Sequence, residues 1–298
     1  MNFSPIVLFV YNRPWHTKQT VEALQKNDFA CESELFIYSD GAKTEKDIEK
    51  VIEVRDYIKT ISGFKSITII ERDKNWGLAD SIIDGVTEIV NKYGRIIVLE
   101  DDIVTSKYFL KFMNESLEFY EKEIKVWHIS GWNYPIKNKC PNDVFFWRLM
   151  NCWGWATWKD RWAFFNKDIN KIFESFSKSD IRKFDLENTG VFWNQVLMNS
   201  KRKINTWAIF WYASIFMNNG LCLNPCISFV KNIGLDNSGT NCTKNKSLDI
   251  DILNQNSSFS FNCNIEENAI AVQEIIKFYK LNNSFVNRIC NFIKANYL

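Results

Sequence analysis

The chain has 298 residues, 46% of them hydrophobic and 24% charged, with a formal net charge of +2. That is enough chain for one large domain with a full core, and the near-neutral balance, without a dense basic stripe, excludes a dedicated nucleic-acid binder. The longest apolar run, 207–217, is too short to span a bilayer, and the N-terminus enters a strand without a charged leader region, so a cytoplasmic protein without a signal peptide is expected.

Ile6-Val7-Leu8-Phe9-Val10 reads as a first buried strand, ending at Tyr11-Asn12-Arg13-Pro14. Pro14 has no amide hydrogen to lose and suits a helix start, which predicts a helix over 15–26. A second strand over 34–39 carries Asp40-Gly41 at its carboxyl end, and the apolar spacing over 43–61 is helical. A third strand (67–72), a third helix (78–93) introduced by Asn75-Trp76-Gly77, and a fourth strand (95–99) complete a strand–helix alternation that predicts right-handed crossovers and a parallel sheet.

After the fourth strand the rhythm changes. A helix is expected over 106–121, a strand over 126–130 leading into Gly131-Trp132-Asn133, and a short strand over 145–148. Aromatic residues then crowd the chain through Trp153-Gly154-Trp155 to Phe165. Helices over 191–201 and 207–218 and a strand over 221–223 precede the loop 231–241, whose glycine and asparagine content suggests mobility. The segment 247–263 is polar and weakly patterned, a surface excursion, and two helices (266–281 and 284–297) close the chain. Eight cysteines contain no C-x-x-C pair, which argues against zinc and for reduced buried thiols.

The stretch with the most chemistry is Arg95-Ile96-Ile97-Val98-Leu99-Glu100-Asp101-Asp102, a fully buried strand running straight into three acids. Were the chain to stay extended, Glu100 and Asp102 would share one side, and like charges about 7 Å apart repel by about 2 kcal/mol at an effective dielectric near 20. A divalent cation removes that penalty, and hard oxygen ligands suit Mg²⁺ or Mn²⁺. The alternative role for Asp102 is to start the following helix as a capping acid. In an open α/β sheet, ligands sit off the carboxyl ends of the strands, where these acids lie.

With these motifs in this order (Asn12-Arg13, Asp40-Gly41, Asn75-Trp76-Gly77-Leu78, Glu100-Asp101-Asp102, Gly131-Trp132-Asn133, Gly154-Trp155, Asn205-Thr206-Trp207-Ala208 and Asn232-Ile233-Gly234-Leu235-Asp236), the chain resembles GT-A-fold nucleotide-sugar glycosyltransferases. It is most similar to bacterial sugar transferases related to N-acetylglucosaminyltransferase I. The resemblance implies a Rossmann-like α/β domain over 1–245, with a mostly parallel central sheet flanked by helices. Its donor half is 1–133 and its acceptor half 134–245, followed by a surface segment and C-terminal helical appendage over 246–298.

The resemblance also implies roles. Arg13, Asp40 and Asn75 belong to the donor site, Asp40 facing base or ribose. Glu100-Asp101-Asp102 matches a DXD-type motif, with Asp102 the direct ligand of Mn²⁺ or Mg²⁺ and its neighbours on ribose and donor sugar. Trp132, Asn133, Trp153, Trp155 and Trp207 match the donor-sugar and acceptor cleft, where indole faces stack on a pyranose, although with twelve tryptophans most are expected in the core. The implied activity is transfer of a hexosyl or N-acetylhexosaminyl group, from a UDP-sugar, to a glycan or lipid-linked glycan acceptor in bacterial surface polysaccharide or lipopolysaccharide biosynthesis.

The sequence departs from the related enzymes at the catalytic base. The transferase it resembles has an Asp immediately before the tryptophan matching Trp207; here Thr206 stands there, preceded by Asn205. Phe210 and Asn241 replace an Arg and a His. Asp236 is the first alternative base and Glu187 the second, unless the reaction retains configuration. The loop 232–241 is expected to close as a lid, Gly234 and Gly239 hinging and Ser238 and Thr240 donating to phosphate. The tail 285–294 is amphipathic and suits packing on the body, a homodimer mate or the inner membrane face. Two other functions compete: a catalytically degenerate sugar-nucleotide or glycan binder, and a nucleotidyltransferase, which would normally carry a Gly-rich basic loop where Tyr11-Asn12-Arg13-Pro14 stands.

Overall fold

A computed structural model describes residues 3–136, 143–236, 248 and 258–282. Its first half follows the predicted alternation: β1 (Ile6–Val10), α1 (Pro14–Gln25), β2 (Glu34–Ser39), α2 (Ile48–Ile58), β3 (Ser66–Glu71), α3 (Leu78–Tyr93) and β4 (Arg95–Glu100). Then come β5 (Ile103–Thr105), α4 (Phe109–Phe119), β6 (Val126–Ser130), β7 (Val144–Trp147), β8 (Trp155–Trp158) and α5 (Lys159–Trp162). The remainder is α6 (Ile169–Ser175), α7 (Lys178–Phe184), α8 (Phe192–Ser200), α9 (Ala208–Met217), β9 (Leu221–Pro225), β10 (Val230–Asn232) and α10 (Ala269–Asn282).

An 8-stranded sheet in the order β3-β2-β1-β4-β8-β6-β9-β7 forms the centre, with β8 and β7 antiparallel to the rest. The fold is thus the mostly parallel α/β sheet flanked by helices that the sequence implied. The apolar runs of β1, β2 and β4 behave as strands buried on both faces, while β3 is a partly exposed edge strand: Val7 and Phe9 pack with α3, while Ile6, Leu8 and Val10 pack with α1 and α4. The chain lays β2 and β3 to one side of β1 and then returns to place β4 on the other. The crevice between the carboxyl ends of β1 and β4 is therefore the topological switch point, where open α/β sheets bind ligands. Pro14 opens α1 at its first position, so Arg13 sits at the lip of this crevice.

The aromatic crowd after β7 resolves into core. Trp155 is fully buried and stacks on Trp207 at 5.1 Å and on His128 at 5.4 Å. His128 Nδ1 accepts from Trp211 Nε1 (3.2 Å), so the ring proton lies on Nε2, which donates to the Asn151 carbonyl (2.9 Å). Burial lowers the His128 pKa to about 3, against the pull of that carbonyl. The folded state therefore binds fewer protons than the unfolded chain, and stability falls as pH drops below the ordinary histidine value of about 6.5. Between pH 7 and pH 4 this residue is expected to cost about 3 kcal/mol. Urea titrations at both pH values should show that difference shrinking by a similar amount in His128→Gln.

The cysteine expectation is corrected. Cys226 is disulfide-bonded. Cys31 and Cys263 are exposed thiols and Cys222 a buried one. The expected helix 284–297 and its membrane or dimer contacts also lie outside the described residues. No helix among the described residues is long and apolar enough to cross a membrane.

Candidate active site

At the switch point the chain does not stay extended after β4. Asp101 and Asp102 form a turn, so the expected alternation of the three acids is replaced by a cluster that closes on Arg13. The Arg13 guanidinium pairs with Asp101, through Nη2 and also through Nε (3.3 Å), and its Nη2 lies 3.0 Å from Asp102 Oδ2. Thr20 Oγ1, two turns along α1, donates to the Asp101 carbonyl (2.8 Å). Asp101 and Asp102 are 4% and 3% exposed. Burial pulls the Arg13 pKa down, but Asp101 and Asp102 outweigh it and hold it above its usual value. One guanidinium cannot neutralise three carboxylates; burial, then Asp102 and Asp101, push Glu100 up to about 8. Burial and the neighbouring acids thus favour the protonated form of Glu100.

Two atoms of this cluster are buried without a partner, Arg13 Nη1 and Asp102 Oδ1. A buried carboxylate oxygen with no hydrogen bond is costly, and it is the donor type a hard divalent cation uses. No group of three or more His, Cys, Asp or Glu side chains among the described residues is arranged as a cation cage. Mg²⁺-type ions in nucleotide sites need none, because one or two carboxylates suffice when phosphates complete the shell. Asp102 Oδ1 fits that role.

The wall opposite comes from β10, which pairs antiparallel with β5, setting Asn232 against Ile103. Ile233 N donates to the Asp102 carbonyl (2.9 Å), and Gly234 N to Asn232 Oδ1 (2.7 Å). Gly234 passes so close to Asp102 that a Cβ there would lie 2.1 Å from Oδ2. Asp236 then returns to α1, its Oδ2 3.1 Å from His16 Nε2. His16 escaped sequence reasoning. Its signal was the spacing Arg13, His16, Thr20, which puts three polar residues on one face of α1.

Other expected site residues are placed differently. The Asp40 carboxylate accepts from the backbone N–H groups of Gly41 (2.9 Å), Trp76 (2.8 Å) and Gly77 (2.9 Å) and from Asn75 Nδ2 (3.0 Å). Its acceptor positions are filled, so instead of facing a base or ribose it fastens the β3–α3 loop, where Gly77 takes φ +77°. Asn75 is occupied in the same latch, its amide also donating to the Gly41 carbonyl (2.8 Å). Asp40→Asn turns an amide donor toward groups that themselves donate and is expected to destabilise the protein by about 2–4 kcal/mol, readable as a lower urea midpoint.

Trp155 and Trp207 are core and offer no face to a sugar. Asn133 is buried and ties its loop to the Cys226 carbonyl (3.2 Å) and Ser228 Oγ (2.8 Å). Trp132 and Trp153 meet edge-on at 4.4 Å and border a separate cavity. Glu187 pairs with Arg182 and acts electrostatically on Arg148, just past β7. Register places Arg148 at the amino end of the parallel strands, so Glu187 is not brought to the acid cluster. Ser238, Thr240 and Gly239 lie outside the described residues.

No protein-family model matches this sequence, and no curated protein matches it. Solved structures do. S. aureus TarS 1-349 aligns with a TM-score of 0.42 at 10% identity, covering 77% of this chain and 60% of that one. The mannosyltransferase PcManGT from Pyrobaculum calidifontis, in complex with GDP-Man and Mn²⁺, gives 0.39 at 12% identity over 72% of this chain and 70% of that one. A longer S. aureus TarS structure gives 0.31 at 16% identity over 49% of this chain, which spans only 24% of its length. The neighbours are glycosyltransferases. Likeness of this degree carries nothing to the chemistry of individual residues.

Proposed function

We propose that this chain transfers a sugar from a nucleotide-sugar donor, a UDP-sugar, to a glycan or lipid-linked glycan acceptor in bacterial surface polysaccharide or lipopolysaccharide assembly. The observation that carries this reading is the convergence of Arg13, Asp101 and Asp102 at the switch point, with Arg13 Nη1 and Asp102 Oδ1 buried and unpartnered. One atom awaits an anion and the other a cation, which is the pairing a metal–diphosphate presents. Mn²⁺ or Mg²⁺, held through Asp102, would supply electrostatic stabilisation of the departing diphosphate. Arg13 would grip phosphate from the α1 side, and the loop through Gly234 would exclude water above Asp102.

The base assigned is Asp236. Its side chain is 46% exposed, enough to meet an acceptor hydroxyl, and His16 Nε2, 3.1 Å from its Oδ2, orients the carboxylate. The test is release of UDP from a panel of UDP-sugars with Mn²⁺ and candidate acceptors. Asp236→Asn is expected to lower turnover about 10²–10⁴-fold with donor affinity retained, and Glu187→Gln to change neither. Donor binding without turnover of any sugar, by the unaltered protein, would instead favour a sugar-nucleotide-binding protein.

A further inference from the structure

The two edges of the central sheet are finished differently. At the β7 edge Phe146 is bridged to Glu267, and Asn268 N donates to the Phe146 carbonyl (2.7 Å), so the segment entering α10 covers that strand. At the other edge β3 pairs with β2, and no strand among the described residues pairs with its outer side. Its sequence, Ser66-Ile67-Thr68-Ile69-Ile70-Glu71, is rich in β-branched residues. It carries no proline and no charge before Glu71, the devices that usually blunt an exposed edge. Ser66, Thr68 and Glu71 are exposed, and Ile67, Ile69 and Ile70 are half-buried.

Alternation along the strand fixes which backbone groups face outward. Lys65 N points at β2, donating to the Ser33 carbonyl (3.0 Å). Successive N–H groups of a strand point to opposite edges, so Ser66, Thr68 and Ile70 turn theirs, with their carbonyls, away from β2. A second copy running antiparallel can engage these groups about a two-fold axis normal to the sheet. With the axis at Thr68, Ser66 faces Ile70 of the copy and Thr68 faces Thr68 as hydrogen-bonded pairs. Ile67 then faces Ile69, and Lys65 faces Glu71, as the closer non-hydrogen-bonded pairs. Isoleucine meets isoleucine, threonine meets threonine and ammonium meets carboxylate, pairs that each favour antiparallel association. Moving the axis to residue 67 sets Lys65 against Ile69 and Glu71 against Gly63; moving it to residue 69 sets Glu71 against Ile67. Charge and apolar complementarity therefore select one register.

We propose that β3 is a homodimer interface, through which a second copy of this chain adds antiparallel to form one continuous sheet. Ile67 and Ile69 lie on the α2 side, packed against the cluster that holds Val54 and Ile58. Ile48, Ile52, Arg55 and Lys59 share one face of α2. Arg55 and Lys59 reach Glu71 (3.5 and 2.9 Å), which turns that face toward the β3 edge. Ile48 and Ile52, 47% and 52% exposed, thus lie on the side from which the second copy approaches, and its own α2 covers them. Lys65 already pairs with Glu34 (3.2 Å), so each pair across the axis joins two ion-pair sets. A two-fold contact is closed, giving a dimer and not a filament. Because the paired strands run oppositely, the two crevices open at opposite ends of the joined sheet, each complete within its own chain. None of this depends on the transferase reading.

Sedimentation velocity of the full chain is expected to show a reversible dimer. Thr68→Pro removes an outward N–H at an edge position where proline is tolerated. It should weaken the dimer about 10²-fold or more while keeping the far-UV circular dichroism of the parent. Lys65→Glu and Glu71→Lys each oppose like charges across the axis and should weaken association about tenfold. Mixing those two variants in equal amounts should restore it, since each then meets the opposite charge on the other. If Thr68→Pro unfolds, the charge variants and their mixture carry the test alone. A chain that stays monomeric at about 100 µM overturns the assignment. So does a dimer indifferent to Thr68→Pro, which places the contact on another surface, and so does a mixture that stays as weak as either charge variant. Assembly beyond two copies overturns it as well, because this pairing closes on itself.

Discussion

Asp102→Asn is expected to lower Mn²⁺-dependent affinity for a UDP-sugar, and turnover with it, by about 10²–10³-fold, with thermal stability essentially unchanged. The substitution keeps the shape of a side chain that is 5% exposed, and Arg13 retains Asp101 as its partner. What it removes is the negative charge behind the unpartnered Oδ1. Stability should hold because the three acids share one guanidinium, and deleting one charge relieves repulsion as it weakens an ion pair. The same relief should let the Glu100 pKa fall from about 8 toward its ordinary value. Isothermal titration with and without EDTA separates the contributions. If the unaltered protein binds UDP-sugars equally well in EDTA, the metal assignment fails, and Arg13 alone must carry the diphosphate.

The sequence made some of this site legible and hid the rest for physical reasons. Continuous apolar runs at 6–10 and 96–99 can be satisfied only by central strands, so β1 and β4 follow from the pattern alone, and with them the positions of Arg13 and the acids at their carboxyl ends. The β5–β10 pair could not be read, because three-residue strands distant in sequence owe their existence to tertiary pairing. Asp40 shows a different limit. An acid at the end of a strand can grip a ligand or fasten a loop, and only the positions of the amides of residues 76 and 77 decide between them. The tryptophans are ambiguous in the same way. Stacking on a sugar and stacking on Trp207 ask the same of an indole, and Trp155 does the second.

Gly234→Ala tests whether the β10 strand is part of the donor site or merely next to it. A Cβ on residue 234 would stand 2.1 Å from Asp102 Oδ2, 2.9 Å from its Cγ and 2.8 Å from Arg13 Nη1, closer than side-chain carbons approach such atoms. The carboxylate has little room to yield: Arg13 holds Oδ2 at 3.0 Å, and Ile233 N holds the Asp102 carbonyl at 2.9 Å. Either Asp102 rotates off Arg13 or the end of β10 lifts from β5, and both disorganise the place where a diphosphate would bind. The expected outcome is a loss of Mn²⁺–UDP-sugar affinity of about 10²-fold together with about 1–3 kcal/mol of stability, the second of which Asp102→Asn lacks. Truncating the obstacle should reverse the stability loss: in the double variant Gly234→Ala, Asp102→Ala, the new methyl no longer meets a carboxylate, so the two substitutions should be far from additive in unfolding free energy. Additive losses, or a Gly234→Ala protein that binds donor like the parent, would mean that the loop stands further from Asp102 in solution, and the closed crevice would have to be abandoned.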